Sequence, residues 1–310
     1  MNSKSQIKGV LLLLLTSLIW GISFVSQSVG MESVDAFTFM GIRTLMGATV
    51  LLPFIIVRDN ITKKNMTKEE LTERKANDKK TIKYGIIIGI FLCIATNLQQ
   101  FAFYYSTAGK IAFITAMYMF FVPLVGLFFK KKVPLSTWLC IAAGVWGLFL
   151  LCVNPSEFGK FNKGDILALI CALFFCFQIL LIERFAPSCD GVKLSCVQFY
   201  TSGIITAILM FIFEKPEWKA IKSAAIPLLY SGIMSCGIAY TLQVVGQKYC
   251  EATIASLAMC MESVFAVLAS AMLLHEKLSG REITGCAIMF AAIVTTQLVD
   301  IYKSRKQNKL

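Results

Sequence analysis

The chain has 310 residues, of which 57% are hydrophobic and 15% are charged, and its formal net charge is +12. So few charged residues cannot cover the exterior of a water-soluble protein, and the composition predicts a protein whose solvent is the lipid bilayer. The excess of positive charge does not indicate nucleic-acid binding, because it lies in short loops and not in a folded basic domain.

Apolar segments of about 20 residues follow one another along the chain, each long enough to cross a bilayer as a helix. Unbroken runs such as GVLLLLLTSLIW (9–20) favour helices over barrel strands, in which polar and apolar residues alternate. The sequence therefore predicts an all-α membrane protein with about ten transmembrane helices. They are expected near residues 9–30, 36–57, 82–104, 111–129 and 134–153, and near 164–185, 193–213, 224–246, 252–274 and 282–302.

Lys and Arg cluster on one side of these spans, which predicts the orientation of the chain. The first span lacks an A-x-A-like cleavage site and is interpreted as a retained helix. The linker 58–83 and the tail 304–310 are rich in Lys and Arg, and such loops stay on the cytoplasmic side during insertion. Both termini are therefore expected in the cytoplasm, in a multi-pass protein of the cell membrane. The linker mixes Lys, Glu, Asn and Thr, which favours a short cytoplasmic amphipathic helix.

The residues that would carry catalysis or bind a metal are missing from the sequence. The eleven cysteines form no C-x-x-C pair, and His275 is the single histidine, so neither a disulfide framework nor a metal site nor a cofactor is expected. There is no H-E-x-x-H, no set of residues suited to a Ser-His-Asp triad and no G-x-x-x-x-G-K-[ST] motif. These absences disfavour a membrane enzyme and direct use of ATP. A channel would need a filter sequence, and a receptor would need a soluble domain.

Small and polar residues recur at matching places in the two halves of the chain. With an odd number of spans per half, the second copy enters the membrane from the other side, and such inverted repeats place a binding site near the midplane where the halves meet. This arrangement is typical of transporters. An offset of 143 pairs Gly89 with Gly232, Cys93 with Cys236, Asn97 with Tyr240, Gln100 with Gln243 and Tyr104 with Gln247, and an offset of 155 pairs Trp20 with Phe175, Ser23 with Gln178 and Arg43 with Gln198.

Five segments together, in order and spacing, resemble a known family over essentially the whole chain. They are LIWGISF (18–24), GIRTLMG (41–47), AGKIAFITAMYMFFVP (108–123), GIAYTLQVVGQKY (237–249) and TIASLAMCMESVFAVLASAMLLHEKLSGREITG (253–285). The chain resembles the drug/metabolite transporter superfamily, in its EamA-type branch of two inverted five-helix repeats.

The resemblance implies a carrier of the cytoplasmic membrane, often an exporter of amino acids, other metabolites or drugs. Its central cavity would be lined by the first four helices of each repeat, with the fifth and tenth helices at the periphery. The repeats are expected at residues 1–155 and 156–303, followed by the basic tail 304–310. One departure concerns the ninth span, where Ser263 stands at a position that is proline in many relatives, so a bend there loses its usual cause.

Glu262 and Arg43 are the two candidate residues that carry charge. Acids at the depth of Glu262 usually face a cavity, where Glu262 would bind a cationic substrate group or a coupling proton; the alternative is a neutral acid in a structural hydrogen bond. Arg43 either snorkels or forms a structural pair, or it binds a substrate carboxylate with Glu262 as its balancing charge in the empty cavity.

The other candidate substrate-binding residues are uncharged. Amides and hydroxyls can bind a substrate and release it, although the same groups also form hydrogen bonds between helices. Aromatic rings could stack on an aromatic or cationic substrate, although in bundles they also serve packing. The polar set is Ser23, Asn97, Gln100, Tyr104, Gln178, Tyr240, Gln243 and Gln247, and the aromatic set adds Trp20 and Tyr118.

These features together predict a secondary transporter that exports a small metabolite, such as an amino acid, or a drug by alternating access. Its partners would be the substrate, the lipid bilayer and a coupling proton, and the sequence leaves the oligomeric state and the exact substrate open. The alternative that remains is a flippase for a lipid or a lipid-linked intermediate, which the same helices could support.

Overall fold

A computed structural model describes residues 3–64, 66–106, 108–130, 133–153, 161–273 and 278–307. His275 and the last three residues of the basic tail lie outside these ranges. Nearly all of the described residues are helical, and nine helical segments among them are long and apolar enough to cross a membrane. The predicted all-α membrane fold is confirmed.

The helices of the first half follow the predicted spans, with one span divided in two. The predicted fourth span, 111–129, is formed by two helices with Ala116 and Met117 between them. The helices are α1 (Ser3–Met31), α2 (Ala36–Lys63), α3 (Lys68–Ala102), α4 (Ala108–Thr115), α5 (Tyr118–Phe128) and α6 (Leu135–Cys152).

The second half repeats this order, with two of its spans in pieces. The predicted span 224–246 contains a ten-residue π-helical segment, Tyr230–Ala239, and the predicted span 252–274 is interrupted at Cys260. The helices are α7 (Lys163–Phe185), α8 (Gly191–Phe213), the short α9 (Trp218–Ser223), α10 (Ala225–Leu229), α11 (Tyr240–Gly246), α12 (Ala252–Met259), α13 (Met261–Leu273) and α14 (Gly280–Gln307).

The linker between the second and third spans is not a separate amphipathic helix, contrary to the prediction. Thr67 begins α3 with a capping box, in which its hydroxyl accepts from the backbone N–H of Glu70 and the Glu70 carboxylate accepts from the N–H of Thr67. From there α3 runs without interruption through the membrane-spanning segment. The cytoplasmic amphipathic helix expected from composition is thus the first part of a 35-residue helix.

Residues that are equivalent by the sequence offsets make equivalent contacts in the two halves. A Cβ added to Gly9 would lie 2.9 Å from the Cβ of Tyr249, and one added to Gly164 would lie 2.9 Å from the Cβ of Ser106. These residues are equivalent at offsets of 155 and 143, so α1 packs on the end of α11 as α7 packs on the end of α3. The helices can approach so closely only because both positions are glycine.

The equivalent helices α2 and α8 run antiparallel, so the repeats are inverted. The end of α2 meets the start of α8 through an ion pair between Arg58 and Asp190, at 2.5 Å. At the other end of the pair, the Glu214 carboxylate, just after α8, accepts hydrogen bonds at 2.7–2.8 Å from the N–H groups of Phe37 and Thr38 at the start of α2. We call the face at which α1 begins the N face; Arg58 lies there, and Glu214 lies at the opposite face.

The N face also carries a network of ion pairs between the repeats. Asp59 at the end of α2 lies 2.6 Å from both Arg74 and Lys193, and Lys193 lies 2.7 Å from Asp78. Lys193 belongs to α8, whereas the other three residues belong to the first repeat. This network ties the extended start of α3 to the second repeat. The peripheral helices α6 and α14 instead pack against each other, with Arg281 donating to the carbonyl groups of Val153 and Phe149.

The substitution Glu214→Gln is expected to lower the free energy of unfolding by about 1–2 kcal/mol. The carboxylate accepts from two free N–H groups at the start of α2 and from the Thr38 hydroxyl, and a neutral amide accepts more weakly there. The thermal unfolding midpoint of the purified protein in detergent measures this effect. The matched control is Glu217→Gln, because Glu217 is an exposed acid whose side chain caps no helix; an equal effect of both substitutions would contradict the interpretation.

Candidate functional site

A narrow cavity lies where the two repeats meet. It encloses about 450 Å³ of space between its atoms, of which about 30 Å³ can hold the centre of a water molecule. In this conformation it has room for about two water molecules, so it must widen to admit a metabolite. Its wall is formed by Trp20, Phe24, Gln27, Arg43, Gln99, Thr115, Tyr118, Phe175, Ile179, Ser235, Tyr240, Gln243, Met259 and Glu262.

Arg43 lies in this wall on α2, buried and without an ionic partner among the residues that the structure describes. Its residue is 3% exposed, and its Nε and Nη1 atoms have no hydrogen-bond acceptor there. The ring of Phe39 lies one turn away, with its centroid 6.0 Å from the guanidinium carbon. A buried guanidinium with unused N–H groups that borders a cavity can bind an anionic group placed in that cavity.

Glu262 lies in the same wall but comes from the second repeat. It is 5% exposed, and the Tyr118 hydroxyl donates to its Oε1 at 3.5 Å. Within the described part of the chain, neither Arg43 nor any other cation lies within ion-pair distance of its carboxylate. The balancing ion pair expected for the empty cavity is therefore not formed. A buried arginine and a buried glutamate instead face the same space from different repeats.

Two helix interruptions lie next to the part of the cavity wall that contains Glu262. The break between α4 and α5 and the break at Cys260 occupy equivalent positions, and they meet, because the Cys260 thiol donates to the carbonyl oxygen of Ala116 at 3.6 Å. Tyr118 is the first residue of α5, and Glu262 is the second residue of α13. The ninth span is thus interrupted without the proline whose absence at Ser263 argued against a bend. Discontinuous helices at a repeat interface expose backbone groups and are a known setting for substrate sites.

Aromatic rings form the apolar part of the wall. Trp20 and Tyr240 lie with their ring centroids 4.5 Å apart, and Tyr118 and Phe175 lie edge to face at 6.4 Å. The Trp20 indole N–H has no acceptor within the described residues. The predicted residues Trp20, Tyr118 and Tyr240 thus share the cavity with Arg43 and Glu262.

The predicted glutamines of the second repeat lie on the N-face side of the cavity. Gln243 lines it and donates to the side-chain oxygen of Gln178 at 3.3 Å, while Gln247 donates to the backbone oxygen of Ile179 at 3.1 Å. These two bonds join α11 to α7 between the cavity and the N face. They hold the end of α11 against α7 on this side of the cavity.

Six predicted site residues lie outside the wall: Gln178 and Gln247, whose hydrogen bonds are given above, and Ser23, Asn97, Gln100 and Tyr104. Ser23 pairs with the Ser231 hydroxyl at 3.4 Å, and the Asn97 amide donates to Thr206 at 2.8 Å. Gln100 is fully buried away from the cavity. Tyr104 is 47% exposed at the opposite face, where it accepts from the N–H of Ala36, because α3 ends at Ala102.

Sequence reasoning missed several residues of the wall. Gln99 takes the place expected for Gln100, and its amide donates to the Thr115 hydroxyl at 3.4 Å. Gln27 lies one turn beyond the predicted Ser23, so extending the polar stripe of α1 by four residues would have found it. Ser235 lies in the π-helical segment, where ordinary helical spacing does not apply.

Comparison of the sequence with known proteins assigns the chain to a family. The model of the EamA-like transporter family matches residues 7–153 and again residues 162–297. The chain belongs to the EamA-like transporter family. It is 26% identical over 286 residues to an uncharacterized transporter of Archaeoglobus fulgidus, covering 92% of this chain and 84% of that protein.

Other similarities extend over nearly the whole chain. A second relative, the uncharacterized transporter YoaV of Bacillus subtilis, is 21% identical over 297 residues, covering 93% of this chain and 96% of that protein. A protein of known crystal structure has the same fold at 16% identity, with a TM-score of 0.75 over 96% of this chain and 98% of that one. This protein is therefore a multi-pass membrane transporter.

Proposed function

We propose that this EamA-family protein is a secondary transporter of zwitterionic small metabolites, amino acids above all, working by alternating access. The observation that carries the proposal is that a buried arginine, Arg43, and a buried glutamate, Glu262, face one cavity from opposite repeats without forming an ion pair. An amino acid supplies the missing partners, with its carboxylate at Arg43 and its ammonium group at Glu262. Trp20, Tyr118, Phe175 and Tyr240 then surround an apolar side chain.

The proposed orientation places the N face in the cytoplasm of a cell membrane. The basic linker, which the structure shows as the start of α3, lies at the N face. The positive-inside rule places such basic segments, and therefore the N face, in the cytoplasm. The moving units are two repeats, residues 1–155 and 156–303. Export is the direction that the resemblance to this family favours.

Proton coupling is proposed to depend on Glu262. A carboxylate in a dry cavity is costly unless a cation or a proton neutralises it. If the substrate ammonium group and a proton replace each other at Glu262, the return of the empty carrier moves a proton the opposite way. Substrate export would then be driven by proton entry.

The experiment uses the purified protein in liposomes. Counterflow of leucine, phenylalanine, glutamate, lysine and choline is measured with and without an imposed pH gradient. We expect leucine and phenylalanine to be transported, and to accumulate against their gradient on the acidic side of the liposome membrane. Transport of choline and lysine alone would contradict the zwitterion site.

The flippase alternative is tested in the same liposomes with a fluorescent phospholipid. Translocation of the lipid without amino-acid counterflow would overturn the proposal in favour of the flippase. Protein-free liposomes, and liposomes containing heat-denatured protein, provide the baseline for both measurements.

A further inference from the structure

A second group of buried polar side chains lies between α3 and α8, outside the cavity. We call it the α3–α8 seam. Asn97 donates to the Thr206 hydroxyl at 2.8 Å, and the Cys93 thiol lies 3.5 Å from the same hydroxyl. Gly89 brings the helices together, since a Cβ there would lie 2.7 Å from the backbone oxygen of Gln198. The seam consists of Cys93 and Asn97 of α3, of Gln100 one turn further along the same face of α3, and of Gln198, Ser202 and Thr206 of α8.

The seam contains polar atoms that no described residue satisfies. Gln100 and Gln198 are both 0% exposed, and in each the side-chain nitrogen and oxygen lack a partner. The oxygen of Asn97 and the hydroxyl of Ser202 also lack one. Within a membrane, a buried polar group without a hydrogen bond costs several kcal/mol, and water cannot reach it from the lipid. Because four such side chains lie in one interface, we expect another conformation of the protein in which their polar atoms form hydrogen bonds.

The equivalent residues of the other repeat indicate what that conformation is. At the offsets established by the contacts between helices, Gln198 is equivalent to Arg43, Asn97 to Tyr240 and Gln100 to Gln243. All three counterparts line the present cavity. The contacts agree as well: a Cβ on Gly89 would lie 2.7 Å from the Cβ of Thr201, and one on its equivalent Gly232 would lie 3.0 Å from the Cβ of Met46.

We propose that the α3–α8 seam is a second substrate subsite, which opens to the cavity when the transporter faces the N side. Inverted repeats change sides by exchanging conformations, so the positions that line the cavity in one state are buried in the other. Opening lets water and substrate satisfy Gln100 and Gln198. The subsite has both donors and acceptors but no fixed charge, so it takes the polar head of the zwitterion and releases it readily.

This inference rests on the proposed substrate, but its first test does not. Cys93 is a native thiol of the seam, and its equivalent Cys236 is a buried thiol next to Ser235, which lines the present cavity. Sealed membrane vesicles of each orientation are treated with a membrane-impermeant methanethiosulfonate, and labelled peptides are quantified by mass spectrometry. We expect Cys93 to react from the N face and Cys236 from the opposite face. Cys140, buried on the peripheral α6, is the unreactive control.

Failure of Cys93 to react from either face would overturn the proposal, whatever the protein transports. Reaction of Cys93 only from the face opposite to the N face would overturn it equally, because the seam would then belong to the other entrance. The result therefore remains informative if leucine proves not to be a substrate.

The second test separates a binding role from a packing role. Gln198→Leu is expected to reduce leucine counterflow about tenfold, the loss of a hydrogen bond to a charged group. It should leave the unfolding midpoint unchanged or raise it, because an apolar side chain removes an unsatisfied amide. The control is Ser195→Ala, one turn away on α8, whose hydroxyl bonds within its own helix. Unchanged counterflow, or reduced counterflow with a lower midpoint, would overturn the proposal.

Discussion

Replacing Glu262 by Gln is expected to abolish accumulation of leucine driven by a pH gradient. The amide cannot take up and release a proton in place of the substrate ammonium group, so proton and substrate no longer compete for one site. Counterflow without a gradient should fall about tenfold, the cost of losing a charge-assisted hydrogen bond. Both quantities are measured in the same liposomes at matched protein content.

Companion substitutions show which property of Glu262 matters. Tyr118→Phe removes the hydroxyl that donates to the carboxylate, while it keeps the ring of the wall, and should reduce transport less than Glu262→Gln does. Glu251→Gln is the control, because Glu251 is an exposed acid just before α12 whose side chain caps no helix. If Glu262→Gln still accumulates leucine in response to a pH gradient, Glu262 is a structural hydrogen-bonding group and the coupling proposal fails.

Hydropathy predicted the order of the spans and their approximate number because lipid imposes a strong and simple constraint on composition. The offsets of 143 and 155 were readable for a similar reason: glycines such as Gly89 and Gly232 recur where a helix of one half packs closely on a helix of the other half. Both of these inferences rest on a property that repeats over many residues and does not depend on side-chain detail. Arg43 and Glu262 were candidates as ionisable residues at membrane depth, and the structure places both in the wall of one cavity.

The local features that shape the cavity were not predictable in this way. The break at Cys260 has neither glycine nor proline at its centre, and it is formed where two equivalent spans meet through a thiol and a carbonyl group. Such a break depends on tertiary contact. Gln99 lines the cavity where Gln100 was predicted, and neighbouring residues of a helix point about 100° apart. A stripe drawn from spacing alone does not resolve that rotation.

The start of α3 illustrates a different limit. Its composition is that of a cytoplasmic surface, and its charges predicted a separate element outside the membrane. The capping box at Thr67 and the ion pairs of Asp59 with Arg74 and Lys193 instead make it the first part of a transmembrane helix. Composition distinguishes water from lipid, but it does not show where a helix crosses the boundary without interruption.

Replacing Arg43 by Lys is expected to raise the leucine concentration needed for half-maximal counterflow by roughly 10- to 100-fold. The guanidinium has a fixed planar set of donors, of which Nε and Nη1 are unused, and a lysine ammonium group cannot reproduce that geometry in a buried wall. The concentration dependence of counterflow measures the effect. The maximal rate should change less, since the cavity keeps a positive charge.

The carboxylate can be tested from the side of the substrate. Isoamylamine is leucine without its carboxylate, so its weaker inhibition of counterflow should be the same in the native protein and in Arg43→Lys. Arg184→Lys, at the exposed end of α7, is the control for a change of cation elsewhere. If leucine affinity is unchanged in Arg43→Lys, or if isoamylamine loses affinity equally, Arg43 does not bind the carboxylate, and its unused N–H groups have a structural role.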